Sequence, residues 1–299
     1  MIQYYNRLTK KIDTEFVYGG GLVAWAYQNP VGFFLTEHIL SKRWLSLLMG
    51  AYEDSQLSTR KIDTFVERYK IPMEDFEDTT YSSFNDFFIR KFKLGKRSFE
   101  MNQKVFCAGA EARYLAFENV RIENQRFLVK GFEINLLELL KDEELAAEFD
   151  GGTFIIARLC PVDYHRFHFP ISGSLIRHYR VPGYLHSVNP MAFESAPKVF
   201  LNNERQVAIL ENAEFGKVAM IEVGALGVGK IIQSAYSTRD PLPIKFVKGQ
   251  EKGYFLFGGS TVIWLIPKGK IKISQDLADN SAKGLETWIP LGGPLGEET

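Results

Sequence analysis

Two histidines stand three residues apart in segment 163–170, which reads Asp-Tyr-His-Arg-Phe-His-Phe-Pro. Histidine is the usual general acid or base in proteins, because its side chain changes charge near neutral pH. The aromatic residues and Pro170 favour an extended backbone, in which His165 and His168 point to opposite faces. One pocket could use both only if the backbone bends, and the alternative is one buried and one exposed histidine without a catalytic role. A metal site is disfavoured, because no cysteine or glutamate stands at ligand spacing.

A candidate nucleophile, Ser260, lies in segment 257–262, which reads Phe-Gly-Gly-Ser-Thr-Val. Two glycines between apolar runs are typical of a tight hairpin turn, and this is the purely structural interpretation. The segment lacks the spacing and the lysine of a phosphate-binding loop. It also does not match the Gly-x-Ser-x-Gly turn of hydrolases. Taken alone, the segment does not assign a reaction.

The composition disfavours several classes of protein. The 299 residues carry 36 Lys+Arg against 36 Asp+Glu, so the formal net charge is zero and bulk attraction to nucleic acid is not expected. The two cysteines, Cys107 and Cys160, are too few and too far apart for a disulfide scaffold or a zinc ribbon. They favour a reduced, cytoplasmic setting, and the alternative is a secreted protein with a single disulfide. We expect neither a signal peptide nor a transmembrane helix, since no run of about 18 apolar residues is uninterrupted. Aromatic residues are abundant, at 14%.

The elements that must position these side chains change character near residue 95. Before it, the pattern predicts two short helices that meet at Pro30, an apolar cluster ended by Gly50, an amphipathic helix over 58–69 and a further helix capped by Ser82. The first 95 residues therefore read as mostly helical.

After residue 95, short runs of Val, Ile, Phe and Tyr between Gly, Pro and Asn predict strands, with one helix around 135–149. The predicted strands are 114–117, 154–157, 175–179, 207–210, 218–223, 230–232, 254–257 and 261–266. The expected fold class is α+β, with a helical N-terminal layer over 1–95 and a β-rich catalytic domain of mainly antiparallel strands over 96–299.

Together, the histidine and serine segments resemble the phosphatidylserine decarboxylase family, whose members are self-processing, pyruvoyl-dependent enzymes. Further matching segments follow in order over about residues 80–270. They are Ser-Phe-Asn-Asp-Phe-Phe-Ile-Arg-Lys-Phe-Lys at 83–93, Val-Pro-Gly-Tyr-Leu-His-Ser-Val-Asn-Pro at 181–190, Glu-Phe-Gly at 214–216, Val-Gly-Ala and Val-Gly within 223–229, and Lys-Gly-Gln-Glu-Lys-Gly at 248–253. Each piece is weak alone, but the ordered combination is specific.

One position departs from the family pattern. The family usually carries Ser-Pro-x-Asp-Gly at the start of the catalytic domain, and its aspartate completes a charge-relay triad. Here the stretch reads Ala-Gly-Ala-Glu-Ala-Arg at 108–113, so Glu111 stands where the aspartate is expected. Glutamate can orient a histidine with one more methylene of reach. The alternative is a structural ion pair, for example with Arg113.

The resemblance implies autocleavage between Gly259 and Ser260. The Ser260 hydroxyl would attack the Gly259 carbonyl, with His168 as general base and Glu111 holding its tautomer. Ester formation, elimination and hydrolysis would then leave a pyruvoyl group as the covalent cofactor derived from Ser260. The products would be a β chain, 1–259, and an α chain, 260–299, which stay associated as partners.

The family activity implied is decarboxylation of phosphatidylserine to phosphatidylethanolamine and CO2, through a Schiff base between the substrate amine and the pyruvoyl carbonyl. His165 is the candidate for substrate positioning or proton donation. His186 and Ser187 are candidates for lining the substrate pocket, with local hydrogen bonding in a loop as the alternative. His38 and His178 are expected to be structural or exposed.

A phospholipid substrate implies that the protein reaches a membrane surface without spanning it. Apolar residues beside two basic ones predict an interfacial segment on the cytoplasmic face of the cell membrane, and the alternative is packing against the β domain or in a dimer. The residues are Phe33, Phe34, Leu35, Ile39, Leu40, Trp44, Leu45, Leu47 and Leu48, with Lys42 and Arg43 between them. A homodimer is a further candidate partner.

Two other functions stay open at the level of sequence. The first is a pyruvoyl-dependent decarboxylase of a soluble amino acid, which would need no membrane face. The second is an unprocessed, non-catalytic relative. The changed acidic position at Glu111 motivates it, whereas the intact Ser260 and both histidines argue against it.

Overall fold

The computed structural model describes residues 2–15, 19–122, 125–127, 131–193, 195–225, 230–258 and 260–299, with the backbone alone for residues 43 and 125–127. Across these residues the protein is an α+β structure of mainly antiparallel strands, which confirms the expected fold class. Within the same residues, no helix is long and apolar enough to span a bilayer.

The strands are numbered along the described chain. They are β1 Gln3–Asn6, β2 Lys11–Thr14, β3 Val105–Cys107, β4 Ala112–Glu118, β5 Gln125–Phe127, β6 Phe132–Ile134, β7 Thr153–Leu159, β8 Arg166–His168, β9 Gly173–Val181, β10 Arg205–Asn212, β11 Gly216–Val223, β12 Ile231–Gln233, β13 Ile244–Phe246, β14 Glu251–Phe255, β15 Ser260–Ile266, β16 Lys272–Ile273, β17 Glu286–Ile289 and β18 Pro294–Glu297.

The helices are numbered in the same way. They are α1 Gly20–Gln28, α2 Pro30–Leu35, α3 Arg43–Glu53, α4 Ile62–Tyr69, α5 Phe84–Phe88, α6 Leu136–Leu140, α7 Glu143–Glu148, α8 Val199–Asn202 and α9 Gln275–Ala282. A π-helical turn covers Thr36–Leu40, and 3-10 turns cover Gln56–Lys61, Met73–Asp75 and Pro190–Ala192.

One large sheet organises the molecule. Its described strands lie in the order β13-β9-β10-β11-β15-β7-β4-β17-β1-β2, and every neighbouring pair is antiparallel except β1 with β17. A second sheet, β12-β14-β8, carries the histidine segment. β14 leads directly into the turn before β15, and its last residue, Phe255, donates its amide to the His165 carbonyl, so the histidine segment lies along the chain that leads to Ser260.

The first hundred residues carry the expected short helices, but they begin with a β-hairpin that joins the main sheet through β1 and β17. A separate helical layer is therefore not clearly shown. The break at Pro30 is confirmed: Asn29 is extended, and its side chain accepts hydrogen bonds from the Val31 and Gly32 amides at the start of α2. Helix α3 continues past Gly50, where the sequence predicted an end.

Three local predictions differ from the structure. The cap of α5 is Ser83 rather than Ser82, because the Ser83 hydroxyl accepts the Asp86 amide. The helix expected around 135–149 is two helices, separated where Lys141 adopts a left-handed backbone with φ 56°. The helix expected over 58–69 begins as a 3-10 turn, and α4 starts at Ile62.

Each face of the main sheet buries a hydrophobic core, and a third, aromatic cluster joins the N-terminal helices to the turn before Ser260. The buried members of this aromatic cluster are Phe65, Ile71, Phe76, Phe84, Phe87, Phe88, Tyr164, Phe257 and Leu291. Much of the phenylalanine content therefore packs beside the candidate site, where it excludes water.

A fully buried ion pair joins the two sheets. The Lys252 ammonium on β14 donates to Glu222 on β11 at 2.9 Å, to Gln233 at 2.8 Å and to the Tyr236 hydroxyl at 3.2 Å. Lys252 and Glu222 are both 0% exposed. A buried pair of this kind contributes little net stability, but the loss of one partner leaves an uncompensated charge in the interior.

We predict that Lys252→Met lowers the free energy of unfolding by about 3–5 kcal/mol, because Glu222 loses its cation. The double variant Glu222→Leu/Lys252→Met should recover most of that loss. Urea denaturation followed by circular dichroism measures both. Lys245→Met, at an exposed position on β13, is the matched control and should change stability by less than about 0.5 kcal/mol. A Lys252→Met variant as stable as this control would contradict the prediction.

Candidate active site

Ser260 is the first residue of β15, and the sheet holds it on one side through its pairing with Leu159 of β7. Its hydroxyl is buried and has no hydrogen-bond partner among the described residues. The chain reaches it through a turn in which Gly258 has φ 144°, a conformation that a side chain would strain. Asn85 fixes the start of this turn by accepting the Phe257 amide at 2.7 Å. Gly259 lies outside the described residues.

His165 lies under the same turn. Its backbone carbonyl accepts the Phe255 amide at 2.9 Å. Its ring is tilted against that of Phe88, with the ring centroids 3.9 Å apart, and Phe88 in turn contacts Phe257. Nδ1 donates to the Asp163 carbonyl at 3.0 Å, so Nε2 carries the lone pair, and Nε2 is buried without a partner among the described residues. Burial, aided by the charge of Arg90 and opposed by the Asp163 hydrogen bond, lowers the pKa of His165 to about 3. The ring is therefore neutral at physiological pH.

Both ring nitrogens of His168 are engaged. Nδ1 donates to the Gly249 carbonyl at 2.9 Å, and the Tyr164 hydroxyl donates to Nε2 at 3.2 Å. The His168 backbone amide donates to the Gly109 carbonyl at 2.7 Å, and a side chain at Gly109 would meet the His168 carbonyl oxygen at 2.6 Å. Burial lowers the pKa of His168 from its ordinary value, in part offset by the Gly249 hydrogen bond. The segment is extended, as expected, and its two histidines share one tautomer.

No hydrogen bond joins Glu111 to His168 among the described residues. Its carboxylate accepts from Arg97 Nε at 2.5 Å and Nη2 at 2.9 Å, and from the Leu291 amide at 3.2 Å. The ion pair that the sequence suggested with Arg113 does not form either. The position next to His168 Nδ1, which the triad prediction gave to Glu111, is occupied by the Gly249 carbonyl. Arg97 is near Glu111 in sequence, but no sequence pattern predicts that these two residues form an ion pair.

A mainly apolar cavity of about 170 Å³ opens at the turn before Ser260. Strand β7 and the following loop, the loop containing Ser187, and the N-terminal helices form its wall. Its lining residues are Glu15, Gly19, Leu22, Val23, Met49, Arg158, Leu159, Cys160, Pro161, Ser187, Val188, Asn189, Phe257 and Gly258.

The structure separates the two candidate pocket residues, His186 and Ser187. Ser187 lines the cavity at Gly258, and its amide donates to the Tyr27 hydroxyl at 2.7 Å. The buried His186 ring faces a different cavity, of about 340 Å³, where Nε2 lies 3.8 Å from Glu37. Neighbouring residues of an extended loop point in opposite directions, which accounts for the separation.

A buried charge network forms the polar end of the cavity at Gly258. Arg158 binds Glu286 and Glu15 through bidentate hydrogen bonds of 2.6–3.1 Å. Arg113 binds Glu15 at 3.0 Å and Asp163 at 2.6 Å. Arg158, the only basic residue in the cavity wall among the described residues, is therefore already neutralised by carboxylates.

No group of three or more His, Cys, Asp or Glu side chains in the described part of the chain is arranged to hold a metal ion. The chemistry that the site offers is instead a buried hydroxyl at the start of β15 and, in the segment that enters β8, two histidines whose Nε2 atoms carry lone pairs; neither ring hydrogen-bonds to the Ser260 hydroxyl among the described residues. This set is suited to proton transfer and to nucleophilic attack by Ser260.

Comparison with known proteins identifies the relatives of this chain. A family model described as phosphatidylserine decarboxylase matches residues 84–284. The proteins named phosphatidylserine decarboxylase proenzyme from Fusobacterium nucleatum and Clostridium botulinum are each 40% identical to this chain, over 99% and 100% of it and over 98% and 100% of their own length. A protein of the same name from Desulfitobacterium hafniense is 41% identical over 99% of this chain and 98% of its own.

The charge network predicts how stability depends on pH. Burial opposes ionisation of Glu15, but Arg158 and Arg113 outweigh it and lower the Glu15 pKa to about 2 from an ordinary value of 4.5. The folded pKa is below the unfolded one, so ionised Glu15 stabilises the fold above about pH 4.5, by about 3 kcal/mol, and this contribution decreases as the pH falls toward 2. Glu15→Gln should therefore be less stable at pH 7, with a deficit that shrinks as the pH falls.

Urea denaturation between pH 3 and pH 7 measures this deficit. Glu74→Gln, which alters an exposed carboxylate, is the control and should track the wild type throughout. A deficit for Glu15→Gln that is constant over the whole range would contradict the assignment of this titration to Glu15.

Proposed function

The chain belongs to the phosphatidylserine decarboxylase family, and we propose that it is a proenzyme that cleaves itself before Ser260 and then decarboxylates phosphatidylserine to phosphatidylethanolamine and CO2. The observation that carries this proposal is the placement of Ser260. Its buried, unpartnered hydroxyl starts a strand that is held on both edges, at a turn shared with the histidine segment and a cavity.

For self-cleavage, the Ser260 hydroxyl attacks the preceding carbonyl while a base takes its proton. His168 is the proposed base. Its Nε2 carries the lone pair that this role requires, but the Tyr164 hydroxyl occupies it, so the Tyr164 bond must open first. The orienting bond at Nδ1 comes from the Gly249 carbonyl. For Glu111 to take that role, its carboxylate must leave Arg97.

A pyruvoyl group derived from Ser260 fits the residues present. Burial of Ser260 keeps the position dry, and pairing on both edges of β15 holds it after the chain is cut. Such a group supplies an electron-withdrawing carbonyl for decarboxylation of an amine-bearing substrate. His165 is neutral and its Nε2 has no hydrogen-bond partner among the described residues, and it is proposed for substrate positioning or proton donation.

The cavity at Gly258 is the proposed place of the substrate headgroup, with Ser187 in its wall and His186 outside it. Its outer wall is formed by residues of α1 and α3, including Leu22 and Met49. These two side chains are 68% and 38% exposed, so the cavity continues onto an apolar outer surface. This continuity favours a lipid over a soluble amino acid.

We call that surface the apolar face. It consists of Leu22, Trp25, Val31, Phe34, Ile39, Trp44, Leu47, Leu48, Met49 and Tyr52, all exposed. Phe33, Leu35, Leu40 and Leu45 of the predicted interfacial set are only partly exposed, and the side chain of Arg43 lies outside the described residues. Lys42 packs 4.6 Å from the Tyr184 ring centroid instead of extending freely. The proposed role of the apolar face, and of region 1–95 with it, is to lie on the bilayer that holds the substrate.

The proposed location is the cytoplasmic face of the cell membrane. Cys107 and Cys160 are both free thiols in the structure, which supports a reducing compartment. The Glu111–Arg97 ion pair is the one observation that favours the alternative of an unprocessed relative, since it withdraws the expected triad carboxylate.

We predict that the purified wild-type chain separates on a denaturing gel into fragments 1–259 and 260–299, and that the smaller one has a blocked N-terminus by mass spectrometry. Ser260→Ala should stay whole and lose decarboxylase activity, because the hydroxyl that attacks the backbone is absent. Ser237→Ala is the matched control. It removes an exposed hydroxyl in the loop between β12 and β13, and this variant should cleave normally.

Two outcomes would contradict this proposal. A wild-type chain that stays whole and inactive on incubation would leave the unprocessed relative as the function. Decarboxylase activity in Ser260→Ala would exclude a cofactor derived from that residue.

We also predict that Trp44→Glu/Leu48→Glu weakens binding to phospholipid vesicles by at least about tenfold, since each buried side chain of this size contributes about 1.5–3 kcal/mol. Co-sedimentation with phosphatidylcholine vesicles measures this. Leu94→Glu changes a fully exposed leucine outside the apolar face and should leave binding unchanged. Because the net charge is zero, wild-type binding should persist at high salt and without anionic lipid. Binding that requires anionic lipid would overturn the assignment to the apolar face.

A further inference from the structure

Arg90 is a buried cation beside the histidine segment. It follows α5, is 2% exposed, and its guanidinium lies between two aromatic rings, 4.5 Å from the Phe76 centroid and 4.9 Å from the Phe87 centroid. Burial lowers its pKa to about 10, so it remains charged at physiological pH. The two flanking rings compensate part of the lost hydration through cation–π contacts.

No carboxylate of the described residues lies within ion-pair distance of Arg90. Among the ionisable groups that act on it electrostatically are Tyr81, Asp163, Glu111 and Tyr164. The two carboxylates among them are bound elsewhere, that of Asp163 to Arg113 and the Cys160 amide, and that of Glu111 to Arg97. The positive charge of Arg90 is therefore not cancelled by a salt bridge.

Arg90 instead binds two backbone carbonyls just before His165. Nη2 donates to the Val162 carbonyl at 2.9 Å and to the Asp163 carbonyl at 3.3 Å. The Asp163 carbonyl is also the acceptor of His165 Nδ1–H, at 3.0 Å. One oxygen atom thus receives both the arginine and the imidazole, and its position decides which His165 nitrogen holds the proton.

We propose that Arg90 is a positioning residue for His165. It holds the Asp163 carbonyl in the place that fixes the Nδ1–H tautomer, and its charge opposes protonation of the ring. The Nε2 atom of His165 thereby stays unprotonated and can accept a hydrogen bond inside the site.

The role of the fixed Nδ1–H tautomer of His165 in the reaction rests on the proposed function. The substrate arrives with an ammonium group, whose nitrogen must lose a proton before it can react as a nucleophile. That proton leaves to solvent water, and the N–H electron pair stays on the nitrogen. The His165 Nε2 lone pair then accepts a hydrogen bond from a remaining N–H of the amine and so orients the nitrogen lone pair for attack. A ring protonated at Nε2 could only donate there and could not hold the amine in this way.

The test measures His165 directly, by 15N NMR of histidine-labelled protein in the uncleaved Ser260→Ala background, where no activity is needed. We expect a neutral Nδ1–H ring down to about pH 4, in line with a pKa of about 3. Arg90→Met should raise the His165 pKa by at least about one unit, because a charge at this separation acts through a protein interior of low polarity. It should also mix the two tautomers. Arg90→Lys keeps the charge and should keep the His165 pKa low, but both tautomers of the ring should then be populated.

Lys91→Met removes the adjacent exposed cation and should change neither property. In the cleaved enzyme, Arg90→Met should lower kcat by about tenfold to a hundredfold with little change in KM.

An Nε2–H or protonated His165 at pH 7 in the uncleaved chain would overturn the proposal, and this measurement does not depend on the folding of any Arg90 variant. Unchanged titration in a folded Arg90→Met would also overturn it. If Arg90→Met does not fold, loss of the fixed tautomer in Arg90→Lys supports the proposal, and its retention contradicts it. Failure of the proposed function would be seen separately, as a wild-type chain that never cleaves while the NMR result stands.

Discussion

The pairing of β15 along both of its edges is the constraint on which the rest of the site depends. Ser260 to Ile266 are in register with Leu159 to Thr153 of β7, and Thr261 to Leu265 are in register with β11. A cut before Ser260 leaves all of these backbone hydrogen bonds in place, so the new chain end stays where the strand holds it. Ser260, the proposed reactive residue, is therefore positioned by the sheet as well as by the turn that precedes it.

The proposed proton transfers have an environment that excludes water. The aromatic cluster surrounds the turn and the histidine segment, and burial lowers the pKa of both histidines. Each ring is held by a backbone carbonyl at Nδ1, which leaves Nε2 as the acceptor. The two rings differ at Nε2: that of His168 receives the Tyr164 hydroxyl, whereas that of His165 has no described partner. The Nε2 atom of His165 is therefore free to accept a hydrogen bond, whereas that of His168 must first lose its hydrogen bond to Tyr164.

Local patterns predicted much of the fold. The fold class, seven of the eight strand segments and the helix break at Pro30 follow from periodicity and from proline, which act over a few residues. The strand predicted over 254–257 ends at Phe255, because the chain turns there toward Ser260. Side-chain partners did not follow from them. Glu111 meets Arg97 and Leu291, and Ser187 and His186 face different cavities, because these contacts depend on how distant loops are folded back.

Arg90 and Tyr164 are two further residues whose side-chain contacts the sequence did not predict. Both lie inside segments whose resemblance to the family was visible in sequence, at 83–93 and 163–170. Their roles beside the histidines appear only when Arg90 is seen to reach the Asp163 carbonyl and Tyr164 to reach His168. Residue type marked these segments as important, but geometry was needed to say what the individual side chains do.

For the substrate position proposed above, the cavity at Gly258 adds a thermodynamic argument about the carboxylate that is lost as CO2. A carboxylate placed there gives up its hydration without gaining a free cation, because Glu15 and Glu286 already neutralise Arg158. The charged ground state is then disfavoured relative to a transition state in which the charge is dispersed and CO2 is leaving. An unpaired arginine in this wall would bind the carboxylate tightly and so slow the loss of CO2. Glu15 follows directly after β2, so the N-terminal hairpin, through its pairing with β17, sets the electrostatics of the site as well as the edge of the sheet.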